Sequence, residues 1–465
     1  MRDAITFHLG HEKREVRDID PTMTVLEYLR GPERMTGTKE GCAEGDCGAC
    51  TVVMVDREGR YQAVNACIMF MPALDGKQLL TVEHLAPASG PLHPVQRAMV
   101  DLHGSQCGFC TPGFIMSMYA MTAEGAPNRA AVNEALAGNL CRCTGYRPIV
   151  DAALAACVDA APLPPPDMPE PAETTLTMAQ SVSPRSVAEL AGVMERHPDA
   201  VIVAGATDVG LWVTKQHRRL GTIVTLDAVE GFDAITEADG MIRIGAGATF
   251  TQVLPVLESH FPDFGALIRR IGSRQIRNRG TMGGNIANAS PIGDSPPPLL
   301  ALDAELVLRK GARQRSVPLH TFFTGYRKTV MEPGEFLERI DIPLPEAGDA
   351  FRCYKVSKRF DQDISAVCAA FRLRLDAGLI TDIRLCFGGM AATPLRLVPI
   401  ETHLVGRVWS EATLVEAQDM LDRSMSPLSD MRASALYRRT IARNLLKKFF
   451  LETSGEAAVT RLEPV

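Results

Sequence analysis

The sequence predicts a multidomain α+β protein: a small mixed unit, a four-helix unit, a proline-rich connector and two further α+β units. Three observations predict it. At 465 residues the chain exceeds one ordinary core, since a domain takes roughly 100–200 residues. The hydrophobic period changes near His93 from strand-like alternation to a helical repeat. The stretch PLPPPDMPEP, with six prolines between Pro162 and Pro171, favours extended polyproline geometry and resists packing.

Each element follows in order. Ile5, Phe7 and Leu9 alternate as a strand, Thr51 to Val55 is another, and Leu79 to Val82 is a further short apolar run, so residues 1–85 read as small α+β with a glycine-rich loop from Gly37 to Gly48. Pro94 suits a first helical position, with Val95, Ala98, Met99 and Leu102 on one face. Thr111 is placed to cap a second helix, Pro112 to Ala123. A third runs from about Asn128 to near Gly138 with Val132, Ala135 and Leu136 aligned, and a fourth starts at Pro148 with Val150, Ala153, Leu154 and Cys157 aligned. These four fill residues 86–160, and the linker occupies 161–177.

Beyond the linker, Ser186 with Glu189 reads as a capping box before a helix carrying Val187, Leu190, Ala191 and Met194. Strands are expected at Val201 to Ala204, Ile223 to Leu226, Ile242 to Ile244, Leu306 to Leu308 and Leu337 to Ile342, giving an α+β unit over 178–345. Strands Ala369 to Leu375 and Ile383 to Phe387, then helices near Glu411 to Met425 and Ala433 to Phe450, form a last α+β unit over 346–465.

Composition excludes several classes. Hydrophobic content of 46% with 22% charged residues is that of a folded globular protein. A net charge of -6 supplies no basic footprint for nucleic acid, so no nucleic-acid partner is expected. The N-terminus lacks an apolar signal region, and no stretch approaches the ~18 apolar residues of a membrane span, so a cytoplasmic protein without a membrane partner is expected. In a reducing compartment, clustered cysteines are metal or redox sites rather than disulfides.

Eight of twelve cysteines are clustered. Cys42-x4-Cys47-x2-Cys50 followed by Cys67 matches the plant-type ferredoxin spacing, in which three thiolates come from one loop and the fourth from a separate element. Gly41, Gly45 and Gly48 suit a backbone that curls round a cluster and aims N–H groups at sulfur. A structural zinc site more often uses paired CxxC knuckles. The reading is therefore a 2Fe-2S cluster in a β-grasp, ferredoxin-like domain. Cys107, Cys110, Cys141 and Cys143 form the second group, and four thiolates there suit either zinc or iron. In an up-down-up-down bundle the two connections that carry them lie at one end, so the quartet can converge. Cys157, Cys353, Cys368 and Cys386 sit in apolar or strand-like contexts and read as small buried hydrophobes.

Two glycine-rich segments follow the linker. Val203-Ala-Gly-Ala-Thr-Asp-Val-Gly210 follows an apolar strand and lets backbone N–H groups approach a phosphate pair, but its spacing is not G-x-G-x-x-G, which argues against a Rossmann domain. Arg279-Gly-Thr-Met-Gly-Gly-Asn-Ile-Ala-Asn-Ala-Ser-Pro-Ile-Gly-Asp294 adds hydroxyl, amide and carboxylate groups beside adjacent glycines. The run Arg269, Arg270, Arg274, Arg277 and Arg279 reads as a solvated face, with a phosphate-facing role open for one or two of them.

The strings GCAEGDCGAC, QCGFCTPGF and NLCRCTGYRPI, in that order, resemble the iron-sulfur domains of the molybdenum hydroxylases, the family of xanthine dehydrogenase, aldehyde oxidase and relatives. The resemblance covers essentially the whole chain. It implies two 2Fe-2S clusters, the bundle cluster lying next to a molybdopterin and the ferredoxin-like one nearer a flavin, with Gln106 and Cys143 against the pterin. The two glycine-rich segments resemble the same family's two-part FAD-binding domain. This implies FAD contacts at Val203, Ala204, Gly205, Ala206, Thr207, Asp208, Val209, Thr281, Gly283, Gly284, Asn285 and Asp294, together with Leu337 and Lys355. Ile271 falls where mammalian relatives place an aromatic ring against the flavin. The segment Lys355 to Asp363 resembles the family's loop near the flavin.

After the FAD-like domain only a small terminal domain remains, and nothing resembles the molybdopterin-binding part. The arrangement resembles the small iron-sulfur/FAD subunit of bacterial xanthine dehydrogenases, which implies a large molybdopterin-binding partner subunit, a dimer of heterodimers and NAD+ as acceptor. Such an enzyme hydroxylates hypoxanthine and xanthine to urate. Three alternatives remain: a relative acting on aldehydes or other N-heterocycles, a stand-alone iron-sulfur flavin reductase, and a zinc-stapled binding module.

Overall fold

Ile5, Phe7 and Leu9 are buried on one face of a strand while Thr6 and His8 are less so, which fixes the inward face of the first sheet. The computed structural model describes residues 2–86, 89–125, 128–158, 163–170, 174–455 and 459–460. These fall into two compact units, Met1–Phe232 with Gly272–Gly280, and Asp233–Ile271 with Thr281–Val465.

The first unit opens with a five-stranded sheet in the order Glu12–Val16, Ile5–Leu9, Gln78–Leu80, Thr51–Val55, Tyr61–Asn65. All neighbours are antiparallel except Ile5–Leu9 with Gln78–Leu80. Helix Val25–Arg30 buries Val25, Leu26, Tyr28 and Leu29 against this sheet. It starts at Thr24, whose hydroxyl accepts from the Glu27 N–H at 3.1 Å while the Glu27 carboxylate accepts from the Thr24 N–H at 2.8 Å. A mixed sheet grasping one helix is the expected β-grasp arrangement. The last strand stops at Leu80 rather than Val82, because the His84 ring accepts from the Thr81 N–H and turns the chain into a short 3-10 helix, Val82–His84.

Four helices follow: Pro94–Asp101, Thr111–Thr122, Arg129–Leu136 and Arg147–Val158. Thr111–Thr122 is the central one, buried on every side from Gly113 to Thr122. Fully burying a side chain such as Phe114 or Met118 contributes roughly 1.5–3 kcal/mol. Two sequence expectations fail locally. Thr111 is already helical, with Cys110 at the cap position and the Thr111 hydroxyl 2.7 Å from that of Ser105. Leu102 lies just past its helix and is exposed, so it does not extend the Val95 and Met99 face.

Within the proline-rich stretch, 163–170 has no regular secondary structure, and 161, 162 and 171–173 lie outside the described residues. The described part is a strap rather than a free spacer. Tyr61 donates to the Pro164 carbonyl at 2.5 Å, the Asp167 N–H donates to Gln78 at 3.2 Å, and Leu163 and Met168 lie against the helical core. Extended proline backbone presents unpaired carbonyls, and neighbouring donors take them.

The strap leads to a four-stranded sheet in the order Leu176–Met178, Ser181–Ser183, Ile223–Thr225, Val201–Val203, whose last two pairings are parallel. Helix Val187–Arg196 is capped by Ser186, but the box is only half formed. The Glu189 carboxylate accepts from Thr175 at 2.6 Å and from the Arg185 N–H at 2.8 Å instead of the Ser186 N–H.

In the second unit, an antiparallel sheet runs Ile235–Ala238, Met241–Gly245, Phe336–Pro343, Glu305–Lys310, Arg313–Pro318. A second antiparallel sheet, Ala350–Val356, Val367–Asp376, Leu379–Gly388, Leu395–Arg396, packs with helices Val398–Leu404, Glu411–Ser424 and Ala435–Thr453 into one core containing Phe371, Phe387 and Phe449. Among the described residues no helix is long and apolar enough to cross a membrane.

Candidate metal centres and cofactor loops

None of the twelve cysteines is in a disulfide. In the first group the loop backbone turns its N–H groups onto sulfur. Cys42 Sγ accepts from the N–H groups of Glu44, Asp46 and Cys47 at 3.3–3.4 Å, and Cys47 Sγ accepts from the Cys42 N–H at 3.3 Å. Such a curl needs left-handed backbone, which Gly45 supplies at φ 78° and Gly48 at φ 69°. At Gly41 a Cβ would stand 2.7 Å from Cys47 Sγ. Asn65 adds its amide 3.9 Å from Cys50 Sγ. The side chains of Cys47 and Cys67, then the loop N–H groups, push the Cys42 thiol well down against burial, while Cys47 and Cys67, facing Cys42, are pushed up.

The second group converges although thirty residues separate its halves. Cys107 faces Cys143, which raises the Cys143 thiol. Burial and then Cys141 push the Cys110 thiol up to about 12. The Thr144 hydroxyl lies 3.2 Å from Cys141 Sγ, and the Cys141 N–H donates to Tyr146 at 3.0 Å. Cys107, Cys143 and Gln106 are exposed, and a Cβ on Gly108 or Gly145 would meet open space.

Within each group the thiols face one another: Cys42 faces Cys47 and Cys67, Cys50 faces Cys67, Cys107 faces Cys143, and Cys110 faces Cys141. Each iron of a 2Fe-2S cluster takes two thiolates, and each group supplies four. The donor set fits the two-iron group.

The first loop has neighbours on both sides. The Leu140 N–H, one residue before Cys141, donates to the Cys47 carbonyl at 2.9 Å. On the other side Lys215 donates to the Cys42 carbonyl and Thr214 to the Ala43 carbonyl, each at 2.8 Å. Thr214 ends helix Val209–Thr214, which starts directly after the glycine-rich turn.

That turn, Ala204 to Asp208, leaves the end of strand Val201–Val203 with Ala206 left-handed at φ 60°. Gly205 is obligatory, because a Cβ would fall 1.7 Å from the Arg279 carbonyl oxygen. Ala204, Thr207, Asp208 and Val209 are half-buried, and Asp208 accepts from the Trp212 indole at 3.1 Å. A turn with no side chain larger than threonine ahead of Asp208 can admit a pyrophosphate to its backbone.

The other expected FAD residues belong to the second unit. Thr281 caps helix Met282–Ala287, accepting from the Gly284 N–H at 2.9 Å, and Gly283 lies against Ala246, whose carbonyl oxygen would be 2.5 Å from an added Cβ. Gly284 is exposed, and the Asn285 amide oxygen accepts from Ser295 at 2.6 Å. Asp294 is buried, accepting from Lys355 at 2.6 Å and Ser365 at 2.5 Å; Lys355 also donates to the Arg270 carbonyl at 2.9 Å. Each carboxylate oxygen keeps a lone pair for a ligand hydroxyl. Leu337 pairs with Leu308 in the sheet, and Ile271 is half-buried.

The arginine run is not a solvated face. Arg269 pairs with Glu258 at 2.8 Å, Arg270 binds the carbonyls of Lys355 and Phe360, Arg274 pairs with Glu124, Arg277 with Glu134 at 3.1 Å and Arg279 with Asp227 at 2.7 Å. The guanidinium groups of Arg277 and Arg279 are buried against carboxylates. Cys157, Cys368 and Cys386 are buried, and burial pushes their thiols up. Cys353 is half-buried, its thiol also raised.

Two polar groupings escaped sequence reasoning. Lys77 and Arg279 hold Asp227 between them at 2.8 and 2.7 Å, and their charges, Arg279 first, overcome burial to keep that carboxyl well below its ordinary range. Asn139 and Gln275 join the two cysteine-bearing regions through a buried amide network. Isolated polar residues far apart in sequence gave no signal, apart from the position of Asn139 two residues before Cys141.

Four family models match in order: "2Fe-2S iron-sulfur cluster binding domain" at 7–72, "[2Fe-2S] binding domain" at 81–154, "FAD binding domain in molybdopterin dehydrogenase" at 177–345 and "CO dehydrogenase flavoprotein C-terminal domain" at 352–453. The chain is 32% identical to xanthine dehydrogenase of Emericella nidulans over 96% of its own length and 38% of the relative's. It spans about two fifths of the length of the curated relatives it matches. Among solved structures, carbon monoxide dehydrogenase from Hydrogenophaga pseudoflava is similar at 25% identity and a TM-score of 0.55, over 58% of this chain and 94% of that one. Quinoline 2-oxidoreductase from Pseudomonas putida 86 is similar at 25% identity and a TM-score of 0.54, over 60% of this chain and 98% of that one. With its 2Fe-2S and FAD-binding domains in this order, the chain belongs to the molybdenum hydroxylase family.

Proposed function

We propose that this chain is the electron-transfer component of a xanthine dehydrogenase, relaying electrons from a molybdopterin centre on a partner subunit to FAD and then NAD+. The reading rests on one observation: the Cys42–Cys47 loop is bonded through Cys47 to the residue beside Cys141 and through Cys42 to Lys215, which follows the helix after the Val203–Val209 turn. When bound, 2Fe-2S clusters carry one electron each and FAD takes two, so together they divide a two-electron oxidation into single transfers.

The residues supply the setting. Cys42, Cys47, Cys50 and Cys67 would hold one cluster, and Cys107, Cys110, Cys141 and Cys143 the other. N–H groups aimed at Cys42 Sγ favour the thiolate, and burial of Cys50 and Cys67 keeps water from that side. The Val203–Val209 turn, Thr281, Gly283, Gly284 and Asn285 would hold the FAD phosphates and adenosine, with Asp294 receiving a hydroxyl and Lys355 fixing its carboxylate. Leu337 and Ile271 would border the flavin.

The partner would dock at the exposed end of the helical unit, where Phe109, Leu140 and Tyr146 are exposed beside Cys107 and Cys143, with Gln106 facing the pterin. Large apolar side chains gathered round two exposed thiols are what a covering subunit explains. The CO dehydrogenase chain that this one resembles is nearly exhausted by 58% of the present chain, in keeping with a flavin component separate from the molybdenum one. A dimer of such heterodimers is the proposed assembly.

The likeness to quinoline 2-oxidoreductase favours one second reading, hydroxylation of another N-heterocycle. Assay of the purified complex with full molybdenum occupancy decides: xanthine consumed, urate formed and NAD+ reduced support the first reading, whereas no urate and turnover of a quinoline-type substrate support the second.

A further inference from the structure

The nine residues Gly272–Gly280 group with the first unit although their sequence neighbours on both sides do not. Within that unit they touch everything that carries a candidate centre. Arg277 pairs with Glu134 on the helical side, Asn278 donates to the Ala63 carbonyl of the first sheet at 2.8 Å, and the Arg279 carbonyl closes over Gly205. At the middle sits Gln275, 1% exposed.

Gln275 completes a closed amide network. The Asn139 amide donates to the Gly48 carbonyl at 3.0 Å and to Thr51 Oγ1 at 3.2 Å; its oxygen accepts from Ser117 at 2.6 Å and from Gln275 Nε2 at 3.0 Å. Thr51 gives its own proton to the Gly48 carbonyl at 2.7 Å. With the protons of Ser117 and Thr51 committed, their lone pairs face Gln275 Nε2 at 3.2 and 3.3 Å, so only the amide nitrogen of Gln275 can point there. Its oxygen Oε1 is buried without a hydrogen-bond partner, in space that exists because residue 138 is glycine: a Cβ there would fall 2.0 Å away. Leaving that oxygen unsatisfied is a cost, which the bonds made by the nitrogen must offset.

The network ties together segments that adjoin the two thiol groups. Gly48 lies between Cys47 and Cys50, Thr51 follows Cys50, and Asn139 precedes Leu140 and Cys141. We propose that Gln275 is a positioning residue that clamps Asn139 onto the Gly48–Thr51 segment and so fixes the separation of the two iron-sulfur clusters from a segment of the flavin-binding region. This rests on the electron-transfer reading above. Because exchange between centres falls steeply with separation, a loosened clamp acts through distance rather than through ligation.

The test uses the full, cofactor-loaded chain and two variants. Gln275→Glu keeps size and shape but replaces the donor nitrogen with an acceptor facing three acceptors; Ser117→Ala removes one arm of the network at its edge. Low-temperature electron paramagnetic resonance of the reduced chain reads the magnetic interaction between the clusters, alongside iron content and thermal stability. The expected result is four irons retained in each variant, with the interaction weakened in Gln275→Glu, less so in Ser117→Ala, and intercluster exchange slowed several-fold in Gln275→Glu. If Gln275→Glu does not load, Ser117→Ala carries the test, and an interaction unchanged there overturns the proposal. A lower melting temperature with an unchanged interaction also overturns it, since that is a merely structural role. Absence of two cluster signals in the unaltered chain defeats the electron-transfer reading itself, a separate outcome.

Discussion

The backbone N–H of Leu140 donates to the carbonyl oxygen of Cys47 at 2.9 Å, joining the loop of the first thiol group to the residue beside a thiol of the second. The same junction brings Gly48 against Gly138 and Asn139: a Cβ on Gly48 would stand 2.2 Å from the Gly138 carbonyl oxygen. Gly48 is also left-handed, at φ 69°. Gly48→Ala is therefore expected to cost about 1–3 kcal/mol through backbone strain alone, with steric overlap adding to it. Calorimetry should record a melting temperature several degrees lower, and an unchanged one would show that the junction yields easily.

The two thiol groups should respond differently to loss of one ligand. Cys67 is buried in the sheet core, whereas Cys107 is exposed at the helical end. Cys67→Ser and Cys107→Ser are each expected to reduce iron from four to two per chain, removing one of two resonance signals. Only Cys67→Ser should also lower the melting temperature. Loss of all iron from Cys107→Ser would mean that the groups do not load independently.

Lys355 and Asp294 form a buried ion pair at 2.6 Å, with side chains 2% and 8% exposed. Lys355→Met leaves the carboxylate unpaired and should destabilise the chain by roughly 3–5 kcal/mol, as removal of one buried partner does. Flavin content should fall in parallel, read by absorbance after gel filtration; full flavin with reduced stability would remove Lys355 and Asp294 from the FAD site.

Asp227 gives the chain an acid-sensitive element. Burial opposes its charge, but Arg279 and Lys77 overcome this and hold the folded carboxyl well below its unfolded value of about 3.9. A depressed folded value means that the stabilisation is full above pH ~4 and is lost as pH falls through the folded value. Melting temperature should thus decline below pH ~4 in the natural chain. Asp227→Asn should be less stable at pH 7, with that acid decline flattened; an identical profile would show that the three charges contribute nothing net.

Local pattern carried the fold far. Ile5, Phe7 and Leu9, the helical stripes after His93 and the Cys42-x4-Cys47-x2-Cys50 spacing were all legible, because each is a short-range repeat with one physical meaning. What was not legible depends on partners outside the local repeat. Glu189 fits a capping box until Thr175 and Arg185 take its carboxylate. The arginines from Arg269 to Arg279 read as a solvated run until Glu134 and Asp227, each distant in the chain, and Glu258 from the preceding helix arrive to bury or bind them. The proline-rich stretch read as a spacer, since nothing local reveals that Tyr61 and Gln78 donate to or accept from it.

The central claim is that eight thiols and two glycine-rich loops make this chain an iron-sulfur flavoprotein relay. Metal, sulfide and flavin analysis of the purified chain, with its visible spectrum before and after reduction, tests it most directly. The account predicts four irons, four sulfides and one FAD per chain, with absorption beyond that of the flavin bleaching on reduction. A colourless chain holding zinc, or one holding iron with no flavin, would contradict it.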